Sequence, residues 1–158
     1  MTFYRLTPKA RSDIRRLTAL QTKSLGKTLR EADLVSAAQI ELALKTQDIY
    51  PDLRLGKILA NQGLIKPETA DFFVQDWTKI VLQSEKDALG FYLRQAGILN
   101  QTQIEVILSE QRSTGVRFGT VAVFQGFLKS TTLDFFLANL FPEELSKSPF
   151  INMYDRFN

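Results

Sequence analysis

The chain contains no cysteine and no histidine. The first absence removes disulfide frameworks, thiol nucleophiles and thiolate metal ligands. The second removes the commonest general base and metal ligand. Zinc chemistry, Ser-His-Asp triads and Cys-His pairs are excluded with them, and the chain is expected not to be an enzyme. Carboxylates do not fill the gap: neither Asp71 with Asp76 nor Glu143 beside Glu144 is spaced against a base or metal partner. Glycine and proline are scarce, at 8 and 5 of 158 residues, while 44% of the chain is hydrophobic and 23% charged. That is a folded composition, neither fibrous nor disordered, and enough for one ordinary domain or two very small ones. No apolar run approaches the roughly 20 residues of a membrane span. None follows the basic Arg5 either, so no signal peptide or membrane insertion is expected, and the expected location is cytoplasmic.

Charge is present but unevenly spread. Residues 1–30 hold eight basic side chains against the single acid Asp13, a local +7, while the remainder is close to −4. Within 7–19, Arg11, Arg15 and Arg16 recur at helical spacing, and Ile14, Leu17 and Leu20 supply an apolar stripe. The spacing predicts a basic amphipathic helix with Ile14 and Leu17 inward and the arginines exposed as a candidate partner surface. Nucleic acid is disfavoured as that partner, because the positive charge is confined to the first 30 residues and no aromatics alternate with it.

The strongest signal is an internal repeat. Four segments start at Leu25-Gly26, Leu55-Gly56, Leu89-Gly90 and Phe118-Gly119. Each runs through a short apolar stretch to a breaker followed by two apolar residues. The breaker doublets are Asp33-Leu34-Val35, Gly63-Leu64-Ile65, Gly97-Ile98-Leu99 and Gly126-Phe127-Leu128. Each then continues at spacings of five, four and three: Ile40, Leu44, Gln47; Ala70, Val74, Trp77; Ile104, Leu108, Gln111; Leu133, Leu137, Leu140. The offsets are identical and gapless. Ser36 with Gln39 and Asn100 with Gln103 read as capping boxes, and Pro67 suits a first helical position. Glycine at the breaker closes a left-handed turn without steric penalty, with Asp33 a poorer substitute. Each copy therefore reads as a short helix, a tight turn and a longer helix, and 77–87 as an extension of the second long helix. Steps of 30, 34 and 29 residues group the copies. The expectation is an all-α tandem repeat arranged as two pairs: a basic helix over 1–23, a first pair over 24–85, a second over 86–141, and an apolar tail over 142–158 packed on the body. Trp77 and the phenylalanines 118, 124, 127, 135, 136 and 141 are expected mostly in the core.

Over residues 24–141 this arrangement resembles the nucleotide-binding motif in the N-terminal domains of type II secretion and type IV pilus assembly ATPases. Arg54-Leu55-Gly56-Lys57-Ile58-Leu59-Ala60-Asn61-Gln62-Gly63-Leu64-Ile65 carries the likeness most fully. The resemblance implies a helical fold whose paired motifs clasp cyclic di-GMP, with Arg and Gln contacting the ligand. It points to Leu25, Gly26, Gln47, Arg54, Leu55, Gly56, Gln111, Arg117 and Gly119 as candidate nucleotide-binding residues. A guanidinium pairs with phosphate or stacks on guanine, glycine admits close approach, and an amide gives direction. Glycines such as Gly56 and Gly90 more often permit close helix packing than phosphate contact.

The departures from the family motif are systematic. Ser24 and Ala88 stand where the family has Arg, and Trp77 and Leu140 where it has Gln. With Arg54-Leu55-Gly56 intact, the first pair is expected to be the better site. The family's ATPase phosphate-binding loop is absent from the sequence. A regulatory domain without its motor implies a protein partner, in secretion, motility or another regulated assembly. The primary expectation is thus a non-catalytic interaction adaptor without a cofactor. The alternative is a receptor for cyclic di-GMP or a related nucleotide. The partner's identity and homo-oligomerisation stay open.

Overall fold

The computed structural model describes residues 6–145, with backbone alone for 16–22. All regular structure among them is helical. In chain order the helices are α1 (Pro8–Thr22), α2 (Leu25–Glu31), α3 (Ala37–Ile49), α4 (Leu55–Asn61) and α5 (Pro67–Asp71). A π-helical turn, Phe72–Asp76, leads directly into α6 (Trp77–Leu82). Then follow α7 (Leu89–Gln95), α8 (Gln101–Thr114), α9 (Phe118–Phe124), α10 (Ser130–Leu140) and α11 (Pro142–Leu145). Each repeat copy opens on a seven-residue helix starting at its apolar-Gly doublet. None of the described helices is long and apolar enough to cross a membrane.

Local chemistry sets these bounds. Both capping boxes form. The Ser36 amide donates to Gln39 Oε1 at 2.8 Å and the Gln39 amide to Ser36 Oγ at 3.1 Å; Asn100 and Gln103 exchange the same bonds at 2.9 and 2.8 Å. Pro67 occupies the first turn of α5. Every short helix ends in a Schellman turn, with an amide reaching back five residues: Leu34 to Leu29, Leu64 to Leu59, Ile98 to Leu93 and Phe127 to Ala122. The turn residue is left-handed each time, and in the first copy it is Asp33 at φ 56°. The aspartate side chain brings a tertiary link that glycine lacks, its Oδ2 accepting from Thr131 Oγ1 at 2.6 Å, beside a backbone link in which its carbonyl accepts from Lys129 Nζ at 3.0 Å.

The core collects equivalent positions from all four copies. Leu29, Leu59, Leu93 and Ala122 are fully buried, as are Ala43, Ile107 and Phe136 on the long helices. Distant copies are then bonded reciprocally. Thr69 Oγ1 donates to the Ala96 carbonyl at 2.6 Å, and Thr132 Oγ1 donates to the Ala32 carbonyl at 2.8 Å. Phe72 lies 6.4 Å from Phe136 and Phe73 lies 6.2 Å from Phe135, between ring centres. Trp77 stacks on Phe135 at 5.2 Å, so the residue standing where the motif has Gln is committed to the core. Leu140, at the same offset in the fourth copy, is buried too.

Three expectations are corrected. Ile14 does not turn inward: it is 48% exposed. α1 is about 22 Å long at 1.5 Å per residue and lies against α6, which has only six residues, too few to cover it. Phe124 is not core but 76% exposed. Its offset holds Glu31, Asn61 and Gln95 in the other copies, a solvent-facing position throughout. The helix begun in the second copy stops at Leu82 rather than running to 87. Leu17 and Arg16 side chains, and the tail beyond 145, lie outside the described residues.

Candidate functional site

The positions at the start of the four repeat copies, Ser24, Arg54, Ala88 and Arg117, are the N-caps of the short helices. All four hold extended backbone there, with ψ between 148° and 154°. Ser24 uses its side chain as a cap, Oγ accepting from the Lys27 amide at 3.2 Å. Arg54 and Arg117 make no cap bond. Forgoing a good cap costs about 1 kcal/mol, so these two arginines hold positions where helix stability alone favours serine. Both are exposed and form no ion pair among the described residues.

The glycines after them serve packing. A methyl group at Gly26 would sit 3.2 Å from Leu55 Cδ2, and one at Gly56 would sit 3.2 Å from Leu25 Cδ2, a reciprocal contact that brings α2 and α4 together. Gly90 receives the Phe118 ring, whose Cζ would be 2.7 Å from such a methyl, and Gly119 faces Leu133. Phenylalanine at 118 fits where the motif has leucine because Gly90 leaves room for its ring.

Residues of the third and fourth copies converge on an open cleft of about 370 Å³. Its walls are Ala88 and Leu89 from the start of α7, Phe118, Gly119 and Thr120 from α9, and Leu133 and Leu137 from α10, with Phe141 beside them. Gln111 from α8, Arg117 and Glu144 from α11 bring the polar groups. Among the described residues, neither the Gln111 amide nor the Arg117 guanidinium has a protein hydrogen-bond partner, and Glu144 is in no ion pair. One cation and one carboxylate thus share an otherwise largely apolar cleft.

Gln47, the counterpart of Gln111, is engaged elsewhere: its Nε2 donates to the Leu53 carbonyl at 3.0 Å and staples the linker to α4. The later connection, from α8 to α9, is two residues shorter than that from α3 to α4 and closes through left-handed Gly115, whose amide bonds the Gln111 carbonyl at 2.8 Å. That geometry leaves the Gln111 side chain to the cleft. Leu25, Gly26, Leu55 and Gly56 meet one another, with Arg54 on the surface beside them. Arg11 and Arg15 are exposed on α1.

Of the cleft residues, sequence reasoning singled out Gln111, Arg117 and Gly119 as candidate binding residues and missed Ala88, Leu89, Phe118, Thr120, Leu133, Leu137, Phe141 and Glu144. Thr120 stands at an offset where the copies disagree, and Glu144 lies beyond the repeat, so periodicity carries no signal for either. A further regularity emerges at the motif's second long-helix apolar position: Leu44, Val74 and Leu108 are 44%, 59% and 36% exposed, whereas Leu137 is buried at 6% beside the cleft.

The fold of the described residues is thus all-helical, and its cleft joins repeat positions of α7 to α10 to Phe141 and Glu144 beyond them. An uncharacterized protein of Picosynechococcus sp. is 37% identical over 126 residues, a match spanning 80% of this chain and 68% of the relative. The chain belongs to the same family as that protein. No family model and no solved structure matches it.

Proposed function

We propose that the chain is a non-catalytic regulatory adaptor of two helical pairs, its fold resembling the N-terminal domains of secretion ATPases, and that it engages a protein partner through the cleft around Arg117. The two-pair reading is supported by the reciprocal threonine bonds and ring contacts, which relate equivalent residues 63 or 64 positions apart as an isologous interface does. The adaptor reading rests on one observation: a guanidinium, Arg117, and a carboxylate, Glu144, both line one cleft together with leucine and phenylalanine side chains. A site with no net charge does not concentrate a dianion, whereas it suits a peptide surface carrying both signs. α10 gives the cleft a route to the rest of the molecule. Leu133 and Leu137 line it, while Phe135 and Phe136 on the same helix pack on Phe72, Phe73 and Trp77.

The test is a photo-crosslinking amino acid placed at Thr120 in the full chain and activated in the native cell. A discrete adduct that disappears with Arg117→Ala, and is absent when the probe stands at Glu41 on α3, is the expected result. No adduct at Thr120, or equal adducts from Glu41, overturns the reading.

A second reading, reception of cyclic di-GMP or a related nucleotide, is favoured by a specific observation. Gln111 and Arg117 meet in this cleft with Leu89, Gly119, Leu133 and Leu137, all at motif positions. On that reading the second pair, rather than the first, holds the ligand.

A further inference from the structure

We infer that the cleft has a resident occupant, the chain's own segment 146–158, and that this segment competes with whatever binds around Arg117; the inference rests on the reading of the cleft as the interaction site. The described chain ends where such an occupant has to begin. Phe141, just before α11, and Glu144 within it line the cleft, and Leu145 is half-buried against the core. Thirteen further residues follow. At 3.3–3.6 Å per residue they reach at most about 45 Å, far more than a return into an adjacent cleft needs.

The composition matches the lining. Phe150, Ile151, Met153, Tyr154 and Phe157 make the segment rich in large apolar side chains, a poor composition for a strand of chain left in water. The cleft offers them Leu133, Leu137 and Phe141. Lys147, Asp155 and Arg156 carry both signs, as Arg117 and Glu144 do. A purely anionic occupant satisfies Arg117 and leaves Glu144 opposed; a segment with both charges satisfies each. Binding of a partner then requires displacing the segment, so the affinity measured for the intact chain is lowered by the fraction of molecules in which it is seated.

The absence of cysteine makes the test clean. The full chain carrying Thr120→Cys and Met153→Cys is oxidised at low concentration beside a control carrying Glu41→Cys and Met153→Cys, and disulfide formation is followed by intact mass. A seated segment raises the local thiol concentration, so the Thr120 pair is expected to close within one chain at least about tenfold faster than the control. Adding Phe150→Ser and Tyr154→Ser is expected to bring the rate down to that of the control. Equal rates for the two pairs overturn the inference. So does a disulfide that forms between chains, which would make the occupant a second copy's tail. This readout needs no ligand or partner. Failure of the crosslink with Arg117-dependent partner adducts intact removes the tail and leaves the adaptor, and the reverse pattern removes the adaptor and leaves the tail.

Discussion

Arg117 stands at a helix N-cap where a serine would bond the exposed amides, and its own side chain does not. Replacing it with the residue already used at the first copy, Arg117→Ser, is expected to raise stability by about 0.5–1 kcal/mol in urea unfolding while abolishing the adduct from Thr120. A loss of stability instead would mean that the guanidinium supports the fold and not a bound partner. The arginines, glutamines and turn glycines were legible because each repeats at a fixed offset, and the four turns close as the breaker residues predict. Phe124 was equally legible, through the polar residues at its offset, but its own hydrophobicity argued the other way. Nothing local marked Asp33 as more than a substitute for glycine. Its bonds to Lys129 and Thr131 join residues nearly a hundred positions apart, and chain separation of that size leaves no periodic trace.

Among elements, the capping boxes, Pro67 and the apolar-Gly doublets marked the starts of the short helices and of α3, α5 and α8 from sequence, since helix starts depend on neighbours within a turn, while the π-helical turn and the stop at Leu82 went unmarked. How the helices meet was not legible, because it involves contacts between residues far apart in the chain, two buried hydroxyls among them. Thr69 and Thr132 each bond a turn carbonyl of a distant copy at equivalent positions. Thr69→Val and Thr132→Val keep the shape and leave those carbonyls without that donor. Each is expected to destabilise by about 1–3 kcal/mol, the range for an unsatisfied buried polar group. Similar losses in the two variants fit an isologous arrangement, and a silent Thr132→Val alongside a damaging Thr69→Val contradicts it. The apolar stripe of the long helices also divides in a way that spacing alone obscures: the first motif position is largely covered, while the second is exposed in three copies of four.

At the scale of the whole molecule, the repeat singled out Gln111, Arg117 and Gly119 of the cleft lining as candidate binding residues, and set Leu89, Leu133 and Leu137 at motif positions without marking them as such. It could not place Glu144, which follows the last copy and alters the electrostatics of the site. The motif had favoured the first pair, where Arg54 is intact. There Gln47 is spent on its own linker, and leucine-on-glycine contacts bring the short helices together. The contrast between adaptor and nucleotide receptor therefore comes down to whether one guanidinium beside one carboxylate can hold a dianion. Calorimetric titration of cyclic di-GMP at fixed salt decides it, using the wild type, Arg117→Ala, and a variant joining Ala88→Arg to Glu144→Gln. The adaptor account predicts no saturable heat from the wild type at high micromolar ligand, and binding gained in the double variant, whose cleft recovers the motif's second arginine and loses the opposing charge. Saturable binding by the wild type that Arg117→Ala weakens roughly 10- to 150-fold, the loss of one charge-assisted contact, would contradict it and make the cleft a nucleotide site.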